Sequence, residues 1–249
     1  MQTVATRVVR LDIAKILTVE DAIRTSIGPI KGSGDNFTFI VPPDVEEGDL
    51  MVVIASNRTH HTDAEVAAAS GVFEMGMSSY TSWTAYTDTA ATVENGVTYA
   101  NKRLGCESFT RIAGASEAGT EYTFTYLSAA ATYYWYFLAF KNQYISDAWE
   151  ITSGFNDLDG FGDTTQTNFY VDSITIAGNT SVLLIAGAIN GNVRTTPPVI
   201  YKELADVGDS NVSIFIMARM INAGASGIQN AYMESIPYFV AIGLEIQPV

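Results

Sequence analysis

The chain has 249 residues, 47% of them hydrophobic, and a formal net charge of −14, from 13 Lys and Arg against 27 Asp and Glu. That length suits one large all-β domain or two small ones, either able to bury a sizeable core, while the acidic field repels polyanions and sets nucleic acid aside as a partner. One cysteine, Cys106, excludes an internal disulfide and a cysteine metal site, and the two histidines, His60 and His61, confine any Ser-His-Asp or Cys-His machinery to one spot.

The first residues, MQTVATRVVRLDIAKIL, lack the apolar core of a secretion signal. No stretch reaches the ~18 uncharged apolar residues of a membrane span, so the expectation is cytoplasmic synthesis without membrane insertion. Thr6 to Ile13 reads as a strand. Thr18-Val-Glu-Asp21 has the form of a capping box, with Ala22, Ile23 and Ile27 as a short apolar stripe and Gly28-Pro29 as the stop. Residues 1–34 hold Arg7, Arg10, Lys15, Arg24 and Lys31, five of the 13 basic residues. This segment is expected either to pack on the domain edge or to dock on a partner through Arg7, Arg10, Lys15 and Arg24.

From residue 35 to 249 the pattern is that of a β-sandwich. FTFIV and EYTFTY alternate, whereas LMVVIAS and YYWYFLAF are apolar on both faces, as central strands are. NFYVDSITIA, SVLLIAGAI, NVSIFIMARMI and YFVAIGLEI follow, separated by Gly, Asn, Asp and Pro turn chemistry. DAEVAAAS, residues 63–70, suits a turn or two of helix.

The two halves, about 36–141 and 170–249, repeat one another. Arg111 precedes Gly119 by the same interval as Arg219 precedes Gly227, and each glycine stands five residues before an aromatic, Phe124 or Tyr232. Such a repeat implies two similar β-units. The simplest arrangement is a two-sheet antiparallel, jelly-roll-like sandwich in which each half covers the other's apolar face. Gly48-Asp49 is then the turn before the first central strand and Asn179-Thr180-Ser181 its counterpart.

VPPDVEEGDLMVVIA, Trp83-Thr84, the strand Phe109 to Ala113, AGTEYTFT and LAF come in one order, followed by SITIAGNTSVLLIA, TTPP, AGASG and GLEIQP. This order resembles a β-sandwich module of tailed-bacteriophage and prophage virion proteins that opens with a PxGVxxGDLL unit. The resemblance covers about residues 36–249. It departs from the pattern at Pro43-Asp44 and in an insertion from Thr59 to Ser79. Its motifs are turns and strands with no catalytic signature. It implies a non-enzymatic virion structural protein, a capsid decoration, cement or fibre-attachment subunit. Such a protein is made in the host cytoplasm and sits on the virion beside capsid or tail subunits and copies of itself.

The alternative is a receptor-binding or glycan-adhesive fibre head, which would present exposed rings; Trp83 and Trp149 are the candidates, while Trp135 lies in an apolar strand and reads as core. Asp157, Asp159 and Asp163, among glycines, could offer oxygen ligands to Ca²⁺, although the closing Glu of an EF-hand loop is missing and a solvated turn explains them as well. No other cofactor is implied. His60 and His61 with Asp63 and Glu65 make a poor metal set, because neighbours on an extended segment point to opposite faces. No GxSxG, HExxH or phosphate-binding loop is present, so an enzyme such as a depolymerase has no motif behind it.

Overall fold

The computed structural model describes residues 18–34, 36–60, 77–78, 83–94, 97–126, 131–151, 168–171, 175–226, 229–233 and 239–249. Thr18 caps a single helical turn, α1 (Val19–Ala22), through the reciprocal bonds with Asp21 expected of a capping box. The chain then runs extended. β1 (Ile23–Gly34), β2 (Asn36–Ile40), β3 (Leu50–His60), β4 (Met77–Ser78), β5 (Thr84–Glu94), β6 (Val97–Ile112), β7 (Glu121–Tyr126) and β8 (Ala131–Phe140) form the first unit. The second comprises β9 (Gln143–Ile151), β10 (Asn168–Val171), β11 (Thr175–Ile176), β12 (Ser181–Asn190), β13 (Thr195–Thr196), β14 (Lys202–Gly208), β15 (Val212–Ile221), β16 (Gly224–Ala225), β17 (Gln229–Met233) and β18 (Phe239–Pro248).

Both units share one wrapping. The large sheets run β1-β8-β3-β6-β5 and β9-β18-β12-β15-β14, antiparallel throughout. Opposite them lie β2-β7-β4 in the first unit, and β10-β17-β13 with β11-β16 in the second. Counted as eight strands per unit, with β10–β11 and β16–β17 each taken as one interrupted strand, both large sheets read 1-8-3-6-5 and both small ones 2-7-4. This is jelly-roll connectivity, made twice.

The register places the repeat residue on residue. Arg111 faces Met51 in β3, and Arg219 faces Leu183 in β12. Counting back along those central strands, Gly48 matches Thr180. Both adopt positive φ, +89° and +61°, so the predicted equivalence of the two turns holds in the backbone itself.

Each central strand is buried on both faces because each lies between two apolar layers. Leu50, Val52 and Ile54 point at the second unit and meet Val182, Leu184, Ile216 and Leu244 in one core that joins the two large sheets. Met51, Val53 and Ala55 point the other way, beneath Phe37, Phe39 and Phe124 of the small sheet. Leu183, Ile185 and Phe215 fill the matching core of the second unit. Trp135 and Phe137 are buried as expected.

The all-β, antiparallel sandwich expected from the sequence is present, and within it the halves cover one face of each other's large sheet while each supplies a small sheet for the remaining face. Residues 23–34 pack on the domain edge, one of the two arrangements expected of the N-terminal segment. Residues 23–34 form an edge strand of the first large sheet, paired with β8 from Ile23↔Phe140 to Gly34↔Ala131. Gly28-Pro29, which reads as a helix stop, occupies a register shift between Ile27 and Ile30. Proline lacks the N–H that a ladder needs, so an edge bulge is where a strand accommodates it. Counted by this wrapping, the units begin at β1 and β9.

The hairpin between β14 and β15 ties the units together at one end. The Lys31 ammonium pairs with Asp209 at 2.6 Å, and Arg58 donates to the Asn211 carbonyl at 3.3 Å. Burial alone pushes the Asp209 carboxyl up, but Lys31 and the N–H groups of Asn211 and Val212 outweigh it and hold the group below its ordinary value.

Candidate functional site

The residues singled out in the sequence do not converge. Trp83 is 8% exposed and lies edge-on against Tyr122 and Phe124, at centroid distances of 5.3 and 5.6 Å. It is a core residue, so its ring is not offered to a glycan. Trp83 immediately precedes β5. Trp149 lies in β9 opposite Gly243, and its side chain is outside the described residues. So are Asp157, Asp159 and Asp163, the calcium candidates, and Arg7, Arg10 and Lys15 of the docking segment.

Arg24 has an internal task. Its guanidinium donates through Nε and Nη2 to the fully buried Asp49 carboxylate and pairs with Glu46 at 2.7 Å. Asp49 also accepts from the Glu46 and Asn142 N–H groups at 2.9 and 3.3 Å. Docking was expected of Arg24 because of its charge. In the fold it pins β1 to the turn before β3.

A second polar corner lies beside it. Glu117 accepts from the Tyr122 hydroxyl, from the Gly114 N–H at 3.0 Å, and from Arg111 at 3.4 Å. Burial and the bond to Glu117 push the Tyr122 hydroxyl up to about 12. In the second unit Arg219 donates to the Ser226 carbonyl at 2.9 Å and lies over the Tyr201 ring at 5.1 Å. Tyr201 is the register counterpart of Trp83, since β14 begins opposite Ala218 as β5 begins opposite Thr110. Immediately before Tyr201 the turn Pro197 to Ile200 carries Val199 and Ile200 into solvent, both strongly exposed. This is an apolar tip, closed by the Tyr201 N–H bond to the Pro198 carbonyl at 2.8 Å.

One cluster was not read from the sequence. Glu107 of β6 and Asn57 of β3 are both fully buried, and none of their side-chain oxygen or nitrogen atoms has a hydrogen-bond partner. Register puts them together: Ala55 faces Glu107 and Asn57 faces Gly105, so the two polar residues are diagonal neighbours on one face of the sheet. That face looks into the first unit, where Phe109, Phe124 and Trp135 pack. Burial pushes the Glu107 carboxyl up to about 8. Among the described residues no group of three His, Cys, Asp or Glu is placed to hold a metal ion. No family model, curated protein or solved structure matches the chain.

Proposed function

We propose that the chain is a structural, non-enzymatic protein of a bacteriophage virion, a decoration, cement or fibre-attachment subunit carried in several copies. The observation that supports this most is the fusion of two complete jelly-roll units across one apolar core. Two halves joined by a shared core suit load-bearing or display. The net charge of −14 keeps it soluble at high local density. The resemblance of the VPPDVEEGDLMVVIA unit and its successors to phage virion modules points the same way.

Its partners on this reading are capsid or tail subunits and further copies of itself. Residues 1–17, with Arg7, Arg10 and Lys15, remain the docking segment; Arg24 is withdrawn from it. The exposed Val199–Ile200 tip adds an apolar contact that a neighbour can bury. The glycan-adhesive alternative rested on exposed rings, and the burial of Trp83 removes one of the two.

The test follows the tagged protein through a density gradient of phage particles produced in cells that express it. Banding with particles in a fixed number of copies is expected. Recovery of all of it in the soluble fraction, with particles complete, contradicts the proposal.

A further inference from the structure

Placing the two units in register exposes one spot where they differ in kind. Arg111 and Arg219 are equivalent, so four residues earlier Glu107 stands where the second unit has Phe215. By the same count Asn57 stands where β12 has Ile189, and Trp135 where β18 has Ala241. In the second unit this place is ordinary core, with Ile189, Phe215 and Ala241 packed together. In the first unit Trp135 supplies the ring, and the other two positions hold a carboxyl and a carboxamide.

Both groups are fully buried, and neither the Glu107 oxygens nor the Asn57 amide atoms have a hydrogen-bond partner. Ala55 faces Glu107 and Asn57 faces Gly105, so the pair are diagonal neighbours on one face of the sheet, with Cα atoms about 7–8 Å apart. Thr87 and Thr89 hold the register positions opposite Glu107 and Gly105 in β5. A protonated Glu107 could bond Asn57 directly, yet the two adjacent side chains do not bond. Among the described residues no cationic side chain serves the carboxyl either. Arg111 is bound to Glu117, and Arg58 donates to the Asn211 carbonyl of the second unit. The Tyr133 hydroxyl is used by the Asn36 carbonyl at 2.6 Å. Buried carboxylates are paired or ligate a metal, and an unpartnered buried group calls for an explanation of that kind.

We propose that Glu107 and Asn57 hold a single hard metal cation inside the first unit, ligated by a Glu107 carboxylate oxygen and Asn57 Oδ1. These donors are oxygens, which suit sodium or calcium rather than zinc or copper. Cys106, the soft donor nearest in sequence, belongs to the core between the units. One carboxylate balances one positive charge, so an alkali-metal ion leaves the site neutral where net charge is costly. With the ion between Oδ1 and one Glu107 oxygen, Nδ2 can donate to the other, and all four unpartnered atoms are used. The site lies within one unit and does not depend on the virion reading.

The test uses the purified chain, dialysed with a chelator against tetramethylammonium chloride at pH 8.5. That is above the value of about 8 to which burial pushes the Glu107 carboxyl. Thermal unfolding is then compared in sodium, potassium, calcium and tetramethylammonium chloride at equal ionic strength. A midpoint that rises with the logarithm of the metal-ion concentration is expected, and the arm with the largest shift names the ion. Equal midpoints in all four salts overturn the proposal. Surface carboxylates of an acidic chain also gather cations, so Glu107→Leu combined with Asn57→Leu is the control. Loss of the shift is expected, and a retained shift overturns the site. If that variant does not fold, Asn57→Asp decides. A second carboxylate beside Glu107 moves the preference towards calcium, and an unchanged preference overturns the site.

Discussion

Replacing Arg24 with methionine tests whether residues 18–34 belong to the sandwich. The Asp49 carboxylate is fully buried and the Arg24 side chain is 16% exposed. The hydrogen bond to Asp49 holds the guanidinium above its ordinary value, against the opposing effect of burial. Removing one partner of a buried ion pair costs about 3–5 kcal/mol, because the remaining charge is left in a poor solvent. Here Asp49 keeps the Glu46 and Asn142 N–H donors, which places the loss near the lower end, about 3 kcal/mol. The second ion pair, to the exposed Glu46, adds at most ~1 kcal/mol. Urea denaturation with an unchanged m-value is the assay. The double variant Arg24→Met, Asp49→Leu removes the stranded charge and should recover about 2 kcal/mol of that loss, a coupling that a double-mutant cycle measures directly. A loss below ~1 kcal/mol in Arg24→Met would refute the reasoning and return Arg24 to the docking segment.

Truncating Phe137 to alanine, in the fully buried row opposite Val53, should cost about 3–5 kcal/mol by the same assay; less than ~1 kcal/mol would mean that β8 is not central. Thr180 holds a φ of +61° where its counterpart is Gly48, so Thr180→Gly should raise stability by about 0.5–1 kcal/mol through relief of left-handed strain, and a loss would show that its side chain matters more than its backbone. Glu245 accepts from the Ala177 and Gly178 N–H groups, Ser181 and Gln247; burial pushes it up, but these donors outweigh it and its carboxyl lies below the ordinary 4.5. Its contribution is present above about pH 4.5 and lost as pH falls through the lower folded value, so Glu245→Gln should be about 2 kcal/mol less stable at pH 7 and flatter in acid, and parallel acid titrations of the two proteins would contradict this.

The parts of the fold written in local pattern were legible. Leu50 to Ala55 is apolar on every residue, and only a strand covered on both faces tolerates that. The interval from Arg111 to Gly119 repeats at Arg219, and the register confirms the match. β1 was hidden because Gly28-Pro29 signals a stop when read alone, and only pairing with β8 makes it an edge bulge. Which layer covers each face of the large sheets was hidden, because periodicity says that a face is covered, not by what. Trp83 and Arg24 misled for a related reason: ring and charge suggest a surface, yet each has a tertiary partner, Tyr122 and Asp49, that is distant in sequence. Glu107 reads as a solvent-facing residue of an alternating strand. Its signal lay in the repeat, since carrying the Arg111 and Arg219 match back four residues sets Glu107 against Phe215.

The central claim, that this doubled jelly roll is a repeated building block of a virion, is tested most directly by counting it in purified particles. Quantitative mass spectrometry against a labelled standard should return several copies per particle, in constant ratio to the major capsid or tail subunit across preparations. Particles of full infectivity that contain fewer than one copy each would contradict it.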